Sequence, residues 1–237
     1  MKQKVYIGWD KRESNAYDVA RASIIKHAST QKTLNINPVE LETLTDKGVL
    51  TRVIEQRDGT MWCPISQAPM ATEFAISRFA VPLIQKKGWA LFVDCDVLVQ
   101  ADIAELFALA DDKYAVMVVK HEHAPVETTK MDGQIQTVYP RKNWSSVVLW
   151  NCAHPSNAKL THEVLNGWPG RDLHAFKWLA DEEIGDLPKE WNWLVGVYPD
   201  NPQAKLLHYT LGGPWLPNWQ GGPMDDLWLA QAKELGY

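Results

Sequence analysis

The feature that most constrains this chain is the stretch 88–100, Gly-Trp-Ala-Leu-Phe-Val-Asp-Cys-Asp-Val-Leu-Val-Gln. Trp89 to Val93 has no polar position, which predicts a strand buried on both faces in a sheet covered by helices. The run ends in acid, with Asp94 and Asp96 on either side of Cys95. On a straight strand the two carboxylates would point to opposite faces, but a bend at the carboxyl end swings both toward one point. Such a point suits a hard cation, Mg²⁺ or Mn²⁺, that takes its remaining oxygens from phosphate and water. The competing possibility is an acidic turn that leads into a helix capped at Asp102.

A chain of 237 residues is long enough to bury roughly 70 to 75% of its unfolded surface, so one α/β domain over 1–237 is expected. The net charge of −5, with no basic block, argues against nucleic acid as a partner. Cys63, Cys95 and Cys152 are odd in number and widely spaced, the pattern of reduced thiols rather than of a disulfide framework. No hydrophobic signal region precedes Val5, and no apolar run approaches the roughly 20 residues of a transmembrane segment. A soluble cytoplasmic protein is expected.

Val5 to Trp9 predicts a short strand, and Ala16, Val19, Ala20 and Ile24 recur at the spacing of a helix packed behind it. In such βα units ligands bind beyond the carboxyl ends of the strands, which places the turn Gly8-Trp9-Asp10-Lys11-Arg12 beside the acidic bend. Trp9 either covers a nucleotide base while Lys11 or Arg12 faces phosphate, or is a packed indole on a solvated turn. Residues 34–41 predict a second strand and 45–69 a long surface connection. Residues 71–87 predict a helix bent or ended by Pro82, with Arg78 in its most apolar part. An arginine buried there needs an anion, and Asp94 or Asp96 is the candidate; otherwise it lies on an exposed stripe.

Further along, Asp102 opens a short helix, 114–119 and 146–151 predict strands, and Ser156 is expected to cap the next helix. The polar excursion 120–142 has the character of a functional or disordered loop, and its His121 and His123 lack the spacing of common zinc motifs. Leu173, Phe176, Ala180 and Ile184 predict a helix ended by Gly185. Asp181, Glu182 and Glu183 would then sit in its last turn, which the helix dipole disfavours by several tenths of a kcal/mol each. Sugar hydroxyls or plain solvation would offset that cost. Residues 204–208 predict a last strand ending in His208, which is either structural or an imidazole for the acid pair. Gly212 and Gly213 let backbone approach a ligand. Pro223 starts a closing helix with Met224, Leu227, Trp228 and Leu235 inward.

Taken in order, Ile7-Gly-Trp-Asp10, Ser77-Arg-Phe-Ala-Val-Pro82, Leu91-Phe-Val-Asp-Cys-Asp-Val97, Asp181-Glu-Glu183, Leu187-Pro-Lys-Glu-Trp-Asn192 and His208-Tyr-Thr-Leu-Gly-Gly-Pro-Trp215 resemble the glycogenin-like family 8 glycosyltransferases. The resemblance covers most of the chain and implies a GT-A fold, with a mostly parallel central sheet flanked by helices. It implies a retaining transfer of a hexose from a UDP-sugar to a saccharide or other hydroxyl acceptor. By the same resemblance Asp94, Asp96 and His208 hold Mn²⁺ or Mg²⁺, and Gly8, Trp9, Asp10, Arg12, Arg78, Cys95, Gly212 and Gly213 line the donor site. Asp181 and Glu182 fall on the pair next to the reacting sugar. The chain also departs from the family. Gly213 stands where a phosphate-contacting lysine is usual, so Lys11, Arg12 or Lys205 would have to substitute, and Trp144-Ser-Ser146 replaces a common Asn-Ser-Gly.

A phosphohydrolase of the haloacid-dehalogenase type also pairs two aspartates, but on its first strand and with a small or hydroxyl residue soon after; here Leu98 holds that place. A non-catalytic, metal-dependent sugar or nucleotide binder is the other alternative. Among the twelve tryptophans, Trp144, Trp215 and Trp219 are the candidates for stacking on sugar rings.

Overall fold

The computed structural model describes residues 2–122 and 141–237. Most of the 120–142 excursion, His123 included, lies outside the described residues.

The chain opens with β1 (Gln3–Gly8), α1 (Ser14–His27), β2 (Leu34–Val39) and α2 (Leu41–Asp46). A small antiparallel sheet follows, built from β3 (Glu55–Arg57), β4 (Thr60–Cys63) and β5 (Ala68–Pro69). This corrects the surface connection expected over 45–69. The strands are too short for alternation to show, and Arg57 stacks over Trp62 at 4.4 Å on a partly exposed face. The helix expected over 71–87 is two pieces, α3 (Phe74–Ser77) and α4 (Val81–Gln85), joined by a tighter turn at Arg78–Ala80. Pro82 stands in the first turn of α4, where its missing N–H has no partner to lose.

β6 (Trp89–Val93) is buried at every position. After the acidic bend come β7 (Val97–Val99) and α5 (Ile103–Phe107), the latter capped by Asp102, whose carboxylate accepts from Ala104 N. β8 (Val116–Val118) and β9 (Val147–Asn151) return to the sheet. α6 (His162–Gly167) is capped by Thr161, and the expected Ser156 cap is replaced by His154, whose ring accepts from Ser156 N ahead of a short 3₁₀ turn. α7 (Gly170–His174), β10 (Ile184–Asp186), β11 (Trp193–Leu194), β12 (Leu206–His208) and α8 (Asp225–Glu234) complete the chain.

Six strands form one sheet in the order β10-β8-β9-β6-β1-β2, parallel throughout except for β9. A second sheet, β11-β12-β7, is fed by the same chain that leaves β6. Helix α1 packs between them: Ala20 and Ile24 join the main core with β1 and β6, while Ala16 and Val19 join a second cluster with Leu98, Leu207 and Trp228. Within α8, Trp228 and Ala232 are buried, whereas Leu235, expected inward, is exposed. Among the described residues no helix is long and apolar enough to cross a membrane.

The helix expected over 173–185 is a further correction. α7 stops at His174, Phe176 takes a left-handed conformation at φ 50°, and Asp181–Glu183 is a 3₁₀ turn leading into β10. Gly185 therefore lies within a strand, and the dipole argument for the three acids no longer applies.

Candidate metal and donor site

The acidic bend is the point where the chain crosses from one sheet to the other. β6 delivers Asp94 at its carboxyl end, and Asp94 N donates to Ser146 O at 2.9 Å, prolonging the ladder with β9. β7 then pairs antiparallel with β12, which sets His208 opposite Val97, and Tyr209 N donates to Asp96 O at 2.9 Å. Residues far apart in sequence meet because register leaves them no alternative. One ligand atom each from Asp94, Asp96 and His208 lies within 4.8 Å of the others.

Neighbouring side chains orient the three. Arg78 Nη1 meets Asp94 Oδ1 at 2.7 Å, and the same guanidinium donates to Ser145 O at 3.0 Å and Phe74 O at 3.3 Å. It is held between the rings of Phe74 and Phe92 and is buried. Asn192 Nδ2 donates to Ser146 Oγ at 3.0 Å, which turns its Oδ1 toward His208 Nδ1 at 2.9 Å. That oxygen can only accept, so the imidazole carries its proton on Nδ1 and presents a lone pair at Nε2, 3.4 Å from Asp96 Oδ1. Asp96 Oδ1 is buried and accepts no hydrogen bond. A neutral imidazole nitrogen and a bare carboxylate oxygen at this separation fit a divalent cation.

Burial acts on each acid differently. It pushes Asp94 up to about 6, against the pull of Arg78 and with the help of Asp96. Burial also raises Asp96, but the nearby His208 outweighs it and holds that carboxyl below its usual range. Burial disfavours a charged His208, yet Asp96 outweighs that and moves its pKa upward. Glu13 is pushed up to about 7 by burial and by the charge of Asp96. The Cys95 thiol is fully buried and driven upward by burial, so it belongs to the core rather than to the ligand set.

The acids open into a cavity of about 650 Å³. Arg12, Arg78, Asp94, Asp96, His208 and Gly212 line it, together with Trp215. The remaining donor-site candidates are placed differently. Asp10 is buried and fastens Arg12, whose Nε and Nη2 donate to it at 3.0 and 2.7 Å, and it also accepts from Glu73 N. Gly8 lies against Phe74, whose ring would be 2.5 Å from any added Cβ. Trp9 and Lys11 flank a separate depression with Glu40 and Glu73. Gly213 is covered by the Trp215 ring, 2.0 Å from where a Cβ would stand. Of the three proposed substitutes for the family's lysine, Arg12 reaches the cavity, while Lys205 pairs with Glu105 at 2.6 Å. Trp144 and Trp219 are not among the lining residues.

Asp181 and Glu182, expected beside the reacting sugar, are not among the residues that line the cavity. Both are exposed outside the cavity lining, and Asp181 is ion-paired with Arg141. Gly170, Arg171 and His174 of α7 do line the cavity, as do Ser145 and Asn143. Their signal was local and weak: Pro169-Gly170 marks a helix start, but nothing in the sequence joins it to the acidic bend. Asn192 was legible only as the last residue of the segment 187–192 that carries part of the family resemblance. Glu13, which accepts from Trp215 Nε1 at 3.1 Å across the cavity, had no signal at all.

No family model matches the chain. Among solved structures it resembles the glycosyltransferase GlyE of Streptococcus pneumoniae TIGR4, with a TM-score of 0.61 and 17% identity over 98% of this chain and 61% of that one. The chain thus spans about three fifths of GlyE. It also resembles the galactosyltransferase LgtC (TM-score 0.55, 12% identity, 98% and 96% coverage) and mouse xyloside xylosyltransferase 1 (TM-score 0.54, 14% identity, 89% and 98% coverage). The fold is therefore the GT-A fold, as expected. In sequence it is 47% identical over 237 residues, 98% of the chain and 86% of the relative, to Protein CDI of Arabidopsis thaliana. At that identity over nearly its whole length, the chain belongs to the family of Protein CDI.

Proposed function

We propose that this protein is a metal-dependent, retaining glycosyltransferase of the glycogenin-like family 8 type, which moves a hexose unit from a UDP-sugar to a hydroxyl acceptor. The observation that carries the proposal is the meeting of Asp94, Asp96 and His208 in the lining of a cavity of about 650 Å³ on a GT-A fold. Mn²⁺ or Mg²⁺, when bound, supplies Lewis-acid stabilisation of the charge left on a departing diphosphate. The protein's own residues prepare that step. Asp94 and Asp96 hold the ion, and Asn192 keeps the proton of His208 on the nitrogen away from it. Arg78 prevents Asp94 from becoming an uncompensated buried charge. Arg12, braced by Asp10, offers a cation on the side where the first strand ends. Gly212, which lines the same cavity, gives backbone access.

The carboxylates among the described lining residues are Glu13, Asp94 and Asp96, and two of these serve the metal. This favours departure and attack on the same face of the sugar over a covalent intermediate on Asp181 or Glu182. LgtC was solved with donor and acceptor sugar analogs, which supports a cavity of this kind as the place where both substrates meet. Three free, buried cysteines support a reducing compartment, the cytoplasm. A phosphohydrolase reading has no support from this fold.

The test is release of UDP from a panel of UDP-sugars by the purified chain with and without Mn²⁺. Metal-dependent release supports the transferase. Tight binding without turnover would make the protein a binding module, and cleavage of simple phosphate esters a hydrolase; either result overturns the proposal.

A further inference from the structure

The cavity lies at the switch point of the main sheet. From β1 the chain steps outward to β2, while on the other side of β1 the sheet continues through β6, so a crevice opens between the carboxyl ends of β1 and β6. β6 ends in the acid pair, and the turn that follows β1 ends in Glu13. Asp94, Asp96 and His208 converge within 4.8 Å, a set to which Glu13 does not belong. Glu13 precedes the first turn of α1, yet its side chain caps no backbone N–H there. Arg12, its neighbour in the chain, is bonded to Asp10 and Ala71 O, and among the described residues no ion pair forms at Glu13. Glu13 Oε2 accepts from Trp215 Nε1 at 3.1 Å, whereas Oε1 accepts nothing among the described residues and the side chain lines the cavity. The indole that holds it is itself fixed: it is tilted against Trp228 at 5.0 Å, meets Tyr209 edge-on at 5.9 Å and covers Gly213. Burial and the charge of Asp96 push the Glu13 carboxyl up to about 7, as expected where donors are scarce.

We propose that Glu13, oriented by Trp215, is a positioning residue that accepts a hydrogen bond from a hydroxyl group of the bound nucleotide-sugar. This rests on the glycosyltransferase proposal and specifies how its donor is read. The sign of the charge selects the partner. A carboxylate repels the diphosphate, which belongs with the ion, and gains from an uncharged donor beside it. A hydroxyl offers that proton, and a bond to an ionised acceptor is stronger than one between neutral groups. The hydroxyl belongs either to the ribose or to the transferred sugar, which lie on the two sides of the diphosphate.

Calorimetric titration of the full chain with Mn²⁺ at pH 8, above the value to which Glu13 is raised, separates the two sources. In the ribose arm, UDP is compared with 2′-deoxy-UDP and 3′-deoxy-UDP; in the sugar arm, UDP-glucose is compared with its monodeoxy-glucose analogues. One deoxy ligand is expected to bind about tenfold more weakly than its parent, the scale of a hydrogen bond to a charged group. Glu13→Ala is expected to erase that difference. Glu13→Gln keeps an oxygen for the indole but not the charge, and is expected to shrink the difference to about threefold, the scale of a neutral bond. Mn²⁺ affinity without nucleotide is expected to stay within about threefold of the native value in both variants, since Glu13 acts on the ion only through space. UDP binding with no deoxy penalty in either arm, or a penalty that survives both substitutions, overturns the role of Glu13 alone. A larger loss of Mn²⁺ affinity overturns it too, by making Glu13 a ligand of the ion. Absence of Mn²⁺-dependent UDP binding to the native chain overturns the transferase proposal and the role of Glu13 together.

Discussion

Two acidic triplets in this chain, Asp94-Cys95-Asp96 and Asp181-Glu182-Glu183, look interchangeable in sequence and differ in almost every physical respect. The first lies where β6 hands over to β7, at the junction of the two sheets, with Asp94 buried and Asp96 half-buried and with an arginine, an asparagine and a histidine arranged around them. The second lies on a 3₁₀ turn. Asp181 and Glu182 face solvent, and Glu183 accepts from Ala180 N at 2.8 Å and from Ser156 Oγ, which is the work of a cap. The second triplet carries three acids to the first one's two, so surroundings and not acid content decide which can hold an ion. A carboxylate in water loses little by staying hydrated, whereas one enclosed in protein needs a counter-charge and gains from a cation.

The contrast can be broken most directly at its centre. Asp96→Ala should lower metal-dependent donor turnover about a thousandfold, the loss of several kcal/mol of Lewis-acid stabilisation, and abolish Mn²⁺ binding with an unchanged circular dichroism spectrum. Unaltered turnover would end the metal-site assignment. Arg78→Ala tests the enclosure: removing one partner of a buried pair should destabilise the protein by about 3 to 5 kcal/mol in urea titrations. A change below about 1 kcal/mol would mean that Asp94 is better solvated than its burial indicates.

The supporting residues come next. Asn192→Ala removes the acceptor that fixes the His208 proton and should weaken Mn²⁺ binding about 10- to 100-fold. An unchanged affinity would show that the tautomer is set elsewhere. For pH, Asp94 is raised from 3.8 to about 6 and Glu13 from 4.5 to about 7. A raised carboxyl favours the metal-free fold most below its unfolded pKa, and that contribution is lost as pH rises through about 6 to 7. Metal binding runs the opposite way, because Asp94 and His208, both shifted upward, must release their protons. Mn²⁺ affinity should therefore fall by at least about tenfold per unit below about pH 6, while the metal-free melting temperature declines from pH 4 to 7. A flat metal affinity from pH 5 to 7 would contradict the burial of Asp94. The smallest effect is expected at the second triplet: Asp181→Asn and Glu182→Gln should each change donor turnover by less than about twofold, like most exposed substitutions. A hundredfold loss would restore the catalytic role implied by the family resemblance.

The buried triplet was legible in sequence for a physical reason. An uninterrupted apolar run such as Trp89 to Val93 has few folds open to it, and acids at its end are conspicuous. β1, β2, β9 and the Asp102 cap were legible on the same grounds of pattern and local chemistry. The second triplet was misplaced because apolar spacing continued past the true end of α7. What ends that helix is Phe176 at φ 50°, a left-handed residue without glycine's freedom. Its ring is fully buried against Phe79, Trp150 and Trp178, so tertiary packing holds a conformation that the local sequence does not announce. The β3-β4-β5 sheet was missed for want of length, and the part of α7 in the cavity because its neighbours there come from distant segments.

The crossing at Asp94 to Asp96 has a mechanical consequence. One carboxylate hangs from the six-stranded sheet, whereas the other, with the imidazole, belongs to the three-stranded one. An ion clasped by both would act as a rivet through two plates that the chain also joins between β10 and β11 and that α1 flanks. Loading it would tighten the seam between them, and a slip of one plate past the other would loosen the grip on the ion and on whatever it carries.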